Sequence, residues 1–354
     1  MHELINKVID EFRLPEFLPD RCVHSQSETA TCRACVDICP QDAWMLDDEQ
    51  LGIIPERCDG CGLCVPACTE AAIQSEFEPL TGIRGNLKLS LMACTQSLSR
   101  SSGKGVLSCL HTMGLHDLLS FYRQGSRSLF FLHEDCDQCF RGKGIRVQDR
   151  IKQLNSLLSQ RNLPEFKIRR LTKTRWLSLQ KEIKQFSKQP VTRRNFLRKI
   201  AADVAEKSLD STVSKKTSQP EYLSPGKLLP ARNNNDQRFY FPEININKCN
   251  ACHACVRLCP HDAIRLDEEI ERYEISADNC TGCKLCVDSC DQSAINVAFW
   301  RIPQSISIQL RENICSACGV TFFSTVKNHS DGYLNYCAIC SKTNHSSNLF
   351  QVLN

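Results

Sequence analysis

Nowhere in the 354 residues does an apolar run approach the roughly 18 residues that a membrane-spanning helix needs, so a helical span is excluded. Neither GxxxxGKS/T nor GxGxxG occurs, and Gly103-Lys104-Gly105 and Gly142-Lys143-Gly144 are too short to cradle a phosphate or a dinucleotide. HExxH, a nucleophile elbow and paired carboxylates are missing too. That leaves no recognisable substrate chemistry, no catalytic residue to assign, and the expectation of a non-enzyme. The N-terminus lacks the apolar segment of a secretion signal: Met1-His2-Glu3 opens a charged amphipathic stretch to about Phe12. A short helix over residues 1–20 and a reducing, cytoplasmic setting are expected.

Cysteine is what the chain has in excess. Of 24 cysteines, sixteen fall into two blocks. The second block reads Cys249-x2-Cys252-x2-Cys255-x3-Cys259-Pro260, then Cys280-x2-Cys283-x2-Cys286-x3-Cys290. Two residues between cysteines let the backbone curl around an inorganic core and present three thiolates to it; the fourth must come from elsewhere. The run resembles the bacterial ferredoxins with two 4Fe-4S clusters, matching them at every cysteine. In that pattern the last cysteine of each run ligates the other cluster. The resemblance therefore implies one cluster on Cys249, Cys252, Cys255 and Cys290, and its neighbour on Cys259, Cys280, Cys283 and Cys286. Such crossing holds two clusters close together, which is the geometry of a relay.

The first block reads Cys22-x9-Cys32-x2-Cys35-x3-Cys39-Pro40, then Cys58-x2-Cys61-x2-Cys64-x3-Cys68. It departs from the ferredoxin pattern where Thr29 stands in place of the first cysteine. Cys22 lies upstream beyond the polar loop Val23 to Glu28, which can return its thiolate to the same corner. The implied sets are Cys22, Cys32, Cys35 and Cys68, and Cys39, Cys58, Cys61 and Cys64; without Cys22 the first would hold a three-iron or a labile cluster. Thr69 and Asp291 replace the usual proline after the last cysteine of each block. Disulfides or zinc sites are the alternative reading. Against them stand the repetition of an eight-cysteine framework, the Cys-Pro in each, and the Ala-Ile pairs that follow (Ala72-Ile73 and Ala294-Ile295). Modules this small bury little apolar surface, so their clusters serve as their core and loss of iron should unfold them.

The formal charge of +4 counts thiols as neutral. Four 4Fe-4S cores of +2, each against four thiolates, add about −8, and two further four-cysteine sites about −4, giving roughly −8 overall. No nucleic-acid partner is indicated.

From Leu87 to Ala93, Gly105 to Cys109, Ser128 to His133 and Phe166 to Leu171 short apolar runs alternate with helical periods at Leu115 to Arg123 and about Val147 to Gln160. This reads as a small α/β unit with a mostly parallel sheet. Cys94 and Cys109 end two of its strands and Cys136-x2-Cys139 follows a third, where ligands collect in such sheets. The stretches GVLSCLHTMGLHDLLSFYRQGSRSLFFLHEDCDQC and KIRRLTKTRWLSL resemble the iron-sulfur delta subunit of the methyl-viologen-reducing hydrogenase, over roughly residues 87–180. The resemblance implies a 2Fe-2S cluster on Cys94, Cys109, Cys136 and Cys139, passing electrons between a hydrogenase or similar donor and a heterodisulfide-reductase-like complex. Zinc, or four buried reduced cysteines, are the alternatives. His133, three residues before Cys136, reads as a loop histidine, with a metal ligand or a donor to one as the alternatives.

Between Arg161 and Lys199 stand 13 Lys or Arg against two Glu, a solvated face or a docking surface for an acidic partner. Within it Thr192 to Lys199 resembles a twin-arginine export motif, but is internal and runs on into Ala201 to Glu206 without an apolar stretch. Residues 208–240, rich in Ser, Lys, Pro and Asn, read as a flexible linker. Cys315-x2-Cys318 and Cys337-x2-Cys340 have the spacing of a zinc ribbon, or of a rubredoxin-like iron site.

The expected fold is α+β and multidomain: N-terminal helix (1–20), ferredoxin-like dicluster module (21–80), hydrogenase-delta-like α/β domain (81–180), basic segment and linker (181–240), second dicluster module (241–300), and zinc-ribbon-like piece (301–354). The expected function is single-electron relay between partner oxidoreductases through four 4Fe-4S clusters and one 2Fe-2S cluster, with one zinc ion. An iron-sulfur redox or oxygen sensor that acts by docking to a partner, and a subunit whose clusters only fold it, are the competing expectations.

Overall fold

The computed structural model describes residues 14–47, 51–75, 79–84, 87–98, 103–141, 145–187, 222–229, 236–303, 306–326 and 335–343. The Thr192 to Lys199 motif and most of the expected linker lie outside them, as do residues 1–13 of the expected N-terminal helix. Residues 14–20 do not continue such a helix. Pro15 and Pro19 remove backbone donors there, and the chain forms strand β1 (Glu16–Phe17) and a 3-10 turn at Pro19–Arg21.

The first cysteine block folds around two short antiparallel pairs. One is the hairpin of β2 (Trp44–Leu46) and β3 (Leu51–Ile53), with Trp44 opposite Ile53; the other joins β1 to β4 (Ile73–Gln74). Their buried core is Cys22, Cys35, Trp44, Leu51, Cys64, Ala72 and Ile73, with Phe17 set edge-on to Trp44 at 5.7 Å. Cysteines thus make up a large share of the module's interior, as expected where a cluster substitutes for apolar bulk.

The middle region is a five-stranded sheet of β5 (Leu80–Arg84), β6 (Leu87–Cys94), β7 (Val106–Leu107), β8 (Ser128–Leu132) and β9 (Lys167–Arg170). Only the β5–β6 edge is antiparallel; β6 pairs in parallel with β7 and β8, and β8 with β9. Helices cover both faces, and β6 buries Leu89, Leu91, Met92 and Ala93 together with Ser90, whose hydroxyl pairs with that of Ser126. Leu89, Leu91 and Ala93 pack toward Trp176 and Leu179 of the helix Lys173–Ser187. Met92 faces the other way, toward helices Leu115–Arg123 and Val147–Gln160. The latter presents Val147, Ile151, Leu154 and Leu158, all fully buried, on one stripe at helical spacing.

The second block lies between β10 (Arg238–Ile244), β11 (Ile264–Asp267), β12 (Arg272–Ile275) and β13 (Ile295–Arg301). The ladder of β10 with β13 runs from Arg238↔Arg301 to Ile244↔Ile295. The linker expectation is therefore corrected at its C-terminal end: residues 238–240 are strand, and Leu228, Leu229 and Phe239 are buried in the core of the middle sheet. Local composition could not reveal this, because their burial depends on partners some 60 residues or more away in sequence. Strands β14 (Ser307–Ile314) and β15 (Thr321–Thr325) extend the second module's sheet in the order β11-β12-β14-β15, with Tyr273 opposite Ile308. The C-terminal piece shares a sheet with the module before it.

Candidate metal centres

None of the 24 cysteines is in a disulfide. The last cysteine of every ferredoxin-type run sits in the same turn. Cys39, Cys68, Cys259 and Cys290 each accept on sulfur the backbone N–H of the alanine four residues on, at 3.3 Å from Ala43, 3.3 Å from Ala72, 3.2 Å from Ala263 and 3.3 Å from Ala294. The residue before each alanine (Asp42, Ala71, Asp262, Ser293) is left-handed, with φ between 47° and 53°. The turn is the same whether Pro40 and Pro260 or Thr69 and Asp291 follow the cysteine, so the missing prolines leave the geometry unchanged.

Three of the four loops carrying the remaining cysteines also repeat. In Cys58-x2-Cys61-x2-Cys64, Cys249-x2-Cys252-x2-Cys255 and Cys280-x2-Cys283-x2-Cys286 two residues take positive φ: Gly60 and Gly62, Ala251 and His253, Gly282 and Lys284. Gly282 has a second constraint, because the ring of Tyr240 lies 2.5 Å from where its Cβ would sit. The Cys32-x2-Cys35 loop lacks the repeat and runs directly into the helix Ala34–Ile38. Cys22 reaches it from the turn before Val23–Gln26, and His24 Nε2 lies 2.7 Å from the carbonyl oxygen of Cys32, fastening that turn to the loop.

Thiols carried by different loops raise one another. Cys35 is pushed up to about 12 by burial and then by Cys32, Cys68, Cys64 and Cys22. Burial, opposed by the indole N–H of Trp44, pushes Cys64 up to about 12, with Cys58 and Cys39 adding to it. Cys255 reaches about 12 through burial and then Cys249, Cys252 and Cys290. Burial also raises Cys286, followed by Cys280, Cys283, Cys255 and Cys259. Within each block the two sets share one core, with Cys35 and Cys64 together in the first and Cys255 and Cys286 in the second. In the second block a small hollow is bounded by the four cysteines of each set, one by Cys249, Cys252, Cys255 and Cys290, the other by Cys259, Cys280, Cys283 and Cys286. Buried thiols with raised pKa values stay neutral unless a cationic core deprotonates them. Four thiols around an apolar hollow with amide N–H groups aimed at sulfur are a donor set that fits a polynuclear iron-sulfur core.

The structure also brings Cys94, Cys109, Cys136 and Cys139 together. Burial pushes Cys109 up to about 12, opposed by the His111 amide, with Cys94, Cys136 and Cys139 adding to it. His133 Nδ1 lies 3.7 Å from Cys136 Sγ and 2.7 Å from the Glu134 carbonyl oxygen, a hydrogen-bonding neighbour of the site. Cys109 is buried with Cys61 and Leu63, so this set abuts the first ferredoxin-type block. At the C-terminus the sulfurs of Cys315, Cys318, Cys337 and Cys340 all lie within 4.8 Å of one another, among the described residues the one such group. Tetrahedral zinc at about 2.3 Å from sulfur spaces its ligands at roughly 3.8 Å. The backbone N–H of Cys337, followed by those near Cys318, draws Cys315 down to about 6.

Several polar residues of these sites carry no motif. Asp59, Glu70, Arg141, His261 and Thr281 join one cysteine loop to another, and the only signal in the sequence is that each lies within two residues of a cysteine. Arg141 differs from many surface arginines by being almost wholly buried, with side-chain exposure of 11%.

Residues 248–294 match the 4Fe-4S dicluster domain family. Residues 29–78 match the LdpA Fe-S cluster-binding domain family, a match that begins downstream of Cys22. A ferredoxin of Rickettsia felis is 45% identical over 46 residues, 13% of this chain. The chain spans 42% of that ferredoxin's length. Among the described residues no helix is long and apolar enough to cross a membrane. Both cysteine blocks are thus ferredoxin-like iron-sulfur modules, the second similar to domains that hold two 4Fe-4S clusters.

Proposed function

We propose that the chain is an electron-transfer protein or subunit with four 4Fe-4S clusters, one 2Fe-2S cluster and one zinc ion, serving partner oxidoreductases of the hydrogenase or heterodisulfide-reductase-like kind in a reducing cytoplasm. The observation that carries this is the crosswise convergence of the sixteen ferredoxin-type cysteines, with the same amide-to-sulfur turn in four places. Bound clusters would each supply one-electron storage. The ligands would be Cys22, Cys32, Cys35 and Cys68; Cys39, Cys58, Cys61 and Cys64; Cys249, Cys252, Cys255 and Cys290; and Cys259, Cys280, Cys283 and Cys286.

The protein's own groups set the electrostatics. Amide and indole N–H donors to sulfur favour added negative charge, while burial by Trp44, Ile264 and Ile295 opposes it. Cys94, Cys109, Cys136 and Cys139 are read as 2Fe-2S ligands because they converge without closing to the tight spacing of the Cys315 group, to which we assign zinc. No group among the described residues suggests oxidation of a small substrate, so chemistry is left to the partners.

The test is anaerobic quantitation of iron, acid-labile sulfide and zinc, followed by reductive titration. About 18 iron with matching sulfide and one zinc, reversibly reduced in one-electron steps, is the expected result. Four or fewer iron with several zinc would end the electron-transfer reading. The sensor reading draws on the exposure of Cys32 in the one irregular loop. Selective loss of that cluster in air, the others surviving, would favour it.

A further inference from the structure

The two ferredoxin-type modules are held together by residues that flank their cysteines. Glu70, two residues after Cys68, is 5% exposed although it carries a carboxylate. Its Oε2 lies 2.6 Å from His261 Nε2, and its Oε1 accepts the hydroxyl of Thr281. His261 follows Cys259 by two residues and Thr281 follows Cys280 directly. A second contact repeats the arrangement: Thr31, just before Cys32, donates its N–H and its hydroxyl to the two carboxylate oxygens of Asp288, each at 2.9 Å. Asp288 lies two residues beyond Cys286. Tyr222 closes the junction by donating its hydroxyl to the carbonyl oxygen of Thr69 at 2.9 Å.

All these contacts flank two sets only. On one side stand Cys32 and Cys68; on the other, Cys259, Cys280 and Cys286. A buried carboxylate is costly unless its oxygens are paired. Both oxygens of Glu70 find their partners across the junction, so its placement is set by the meeting of the modules and not by the fold of either one.

We propose that Glu70 is a positioning residue that seats the Cys22, Cys32, Cys35 and Cys68 set against the Cys259, Cys280, Cys283 and Cys286 set. The proposal rests on the electron-transfer reading above and deepens it by giving the sets an order. The Cys94 set abuts the Cys39 set at Cys109 and Cys61, the Cys39 set shares a core with the Cys22 set through Cys64 and Cys35, the junction follows, and the Cys249 set lies beyond it in the core that holds Cys286 and Cys255. Five cysteine sets stand in series, with the middle sheet at one end and β12–β14 near the other.

The test uses the full-length, iron-loaded protein reduced with dithionite, with Glu70→Ala and Glu70→Gln compared by iron content and low-temperature EPR. In the wild type, spin–spin interaction across the junction should broaden the spectrum beyond the interaction inside each module. Glu70→Ala should retain the wild-type iron content but lose the inter-module part, and Glu70→Gln, which keeps the shape and one acceptor, should retain more of it. If Glu70→Ala does not accumulate, the double variant His261→Leu/Thr281→Val removes the same two contacts from the other side and should show the same narrowing. A fully loaded Glu70→Ala with the wild-type spectrum would overturn the positioning role. A reducible wild type whose two modules show no interaction would overturn the juxtaposition itself. Failure of the electron-transfer reading has a different signature, a wild type with no reducible signal at all.

Discussion

Arg141 donates from Nε to Asp59 Oδ2 at 2.9 Å, and from its terminal nitrogens to the carbonyl oxygens of Asp59 and Ser108 at 3.3 and 3.2 Å. One guanidinium therefore clamps the Cys58 to Cys64 loop to the strand end that carries Cys109. Asp59 uses its other oxygen to accept the Cys61 N–H at 3.1 Å, so the clamp reaches into the loop itself. Arg141→Met should cost about 2 kcal/mol, since it strands a largely buried carboxylate. The denaturant midpoint of the loaded protein measures that loss, and about two iron per chain should be lost along with it if the clamp shapes the Cys94 set.

Trp44 donates its indole N–H toward the Cys64 sulfur while packing in the first module's core. A hydrogen bond to sulfur stabilises the more negative, reduced state, so its removal lowers the potential. Trp44→Phe keeps the ring and removes the donor. At about 1 kcal/mol for the bond, the potential of that set should fall by roughly 40 mV for one electron. An EPR-monitored redox titration would register the shift in one set and leave the second block unchanged.

The C-terminal set should separate cleanly from the others. Cys337→Ser should remove one zinc per chain and no iron, as read by elemental analysis. Loss of iron instead would assign a rubredoxin-like centre there. The strands β14 and β15 should survive, because their pairing with β12 does not depend on the four sulfurs.

Burial lowers the pKa of His116, whose ring stacks on Tyr222 at 5.4 Å. The folded protein thus holds it neutral at a pH where the unfolded chain, titrating near 6.5, already binds a proton. Its contribution is fully present above that value and is lost as pH falls below it toward the folded pKa. His116→Gln should lessen the drop in the unfolding midpoint between pH 7.5 and pH 5.5. Parallel curves for the two proteins would show that the ring is protonated freely in the fold.

The regular elements of the middle region were legible because period and burial agree there. Val147 to Gln160 and Leu115 to Arg123 show helical spacing, and both form helices over those residues. The largely apolar stretch from Leu87 to Ala93 signalled a strand, and it is one. What stayed hidden depends on contacts distant in sequence. Arg238 to Tyr240 looks like the end of a polar linker, and becomes a strand only against Phe299 to Arg301. The helix Lys173–Ser187 lies inside a basic segment whose charge conceals Trp176 and Leu179. The sixteen cysteines stood out through their spacing, whereas Glu70 and Arg141 have no spacing to betray them and are defined by what they meet.

The ladder between β12 and β14 has a consequence for how the chain can be divided. Arg272, Tyr273 and Glu274 face Gln309, Ile308 and Ser307, and Leu310 packs in the same core as Ile264 and Ile295. A fragment ending at Arg301 would keep every cysteine of the second block and still leave the outer side of β12 bare. An uncovered row of backbone donors and acceptors beside exposed apolar side chains recruits another strand. Such a fragment would self-associate through that edge, which makes the C-terminal piece an intramolecular shield against polymerisation.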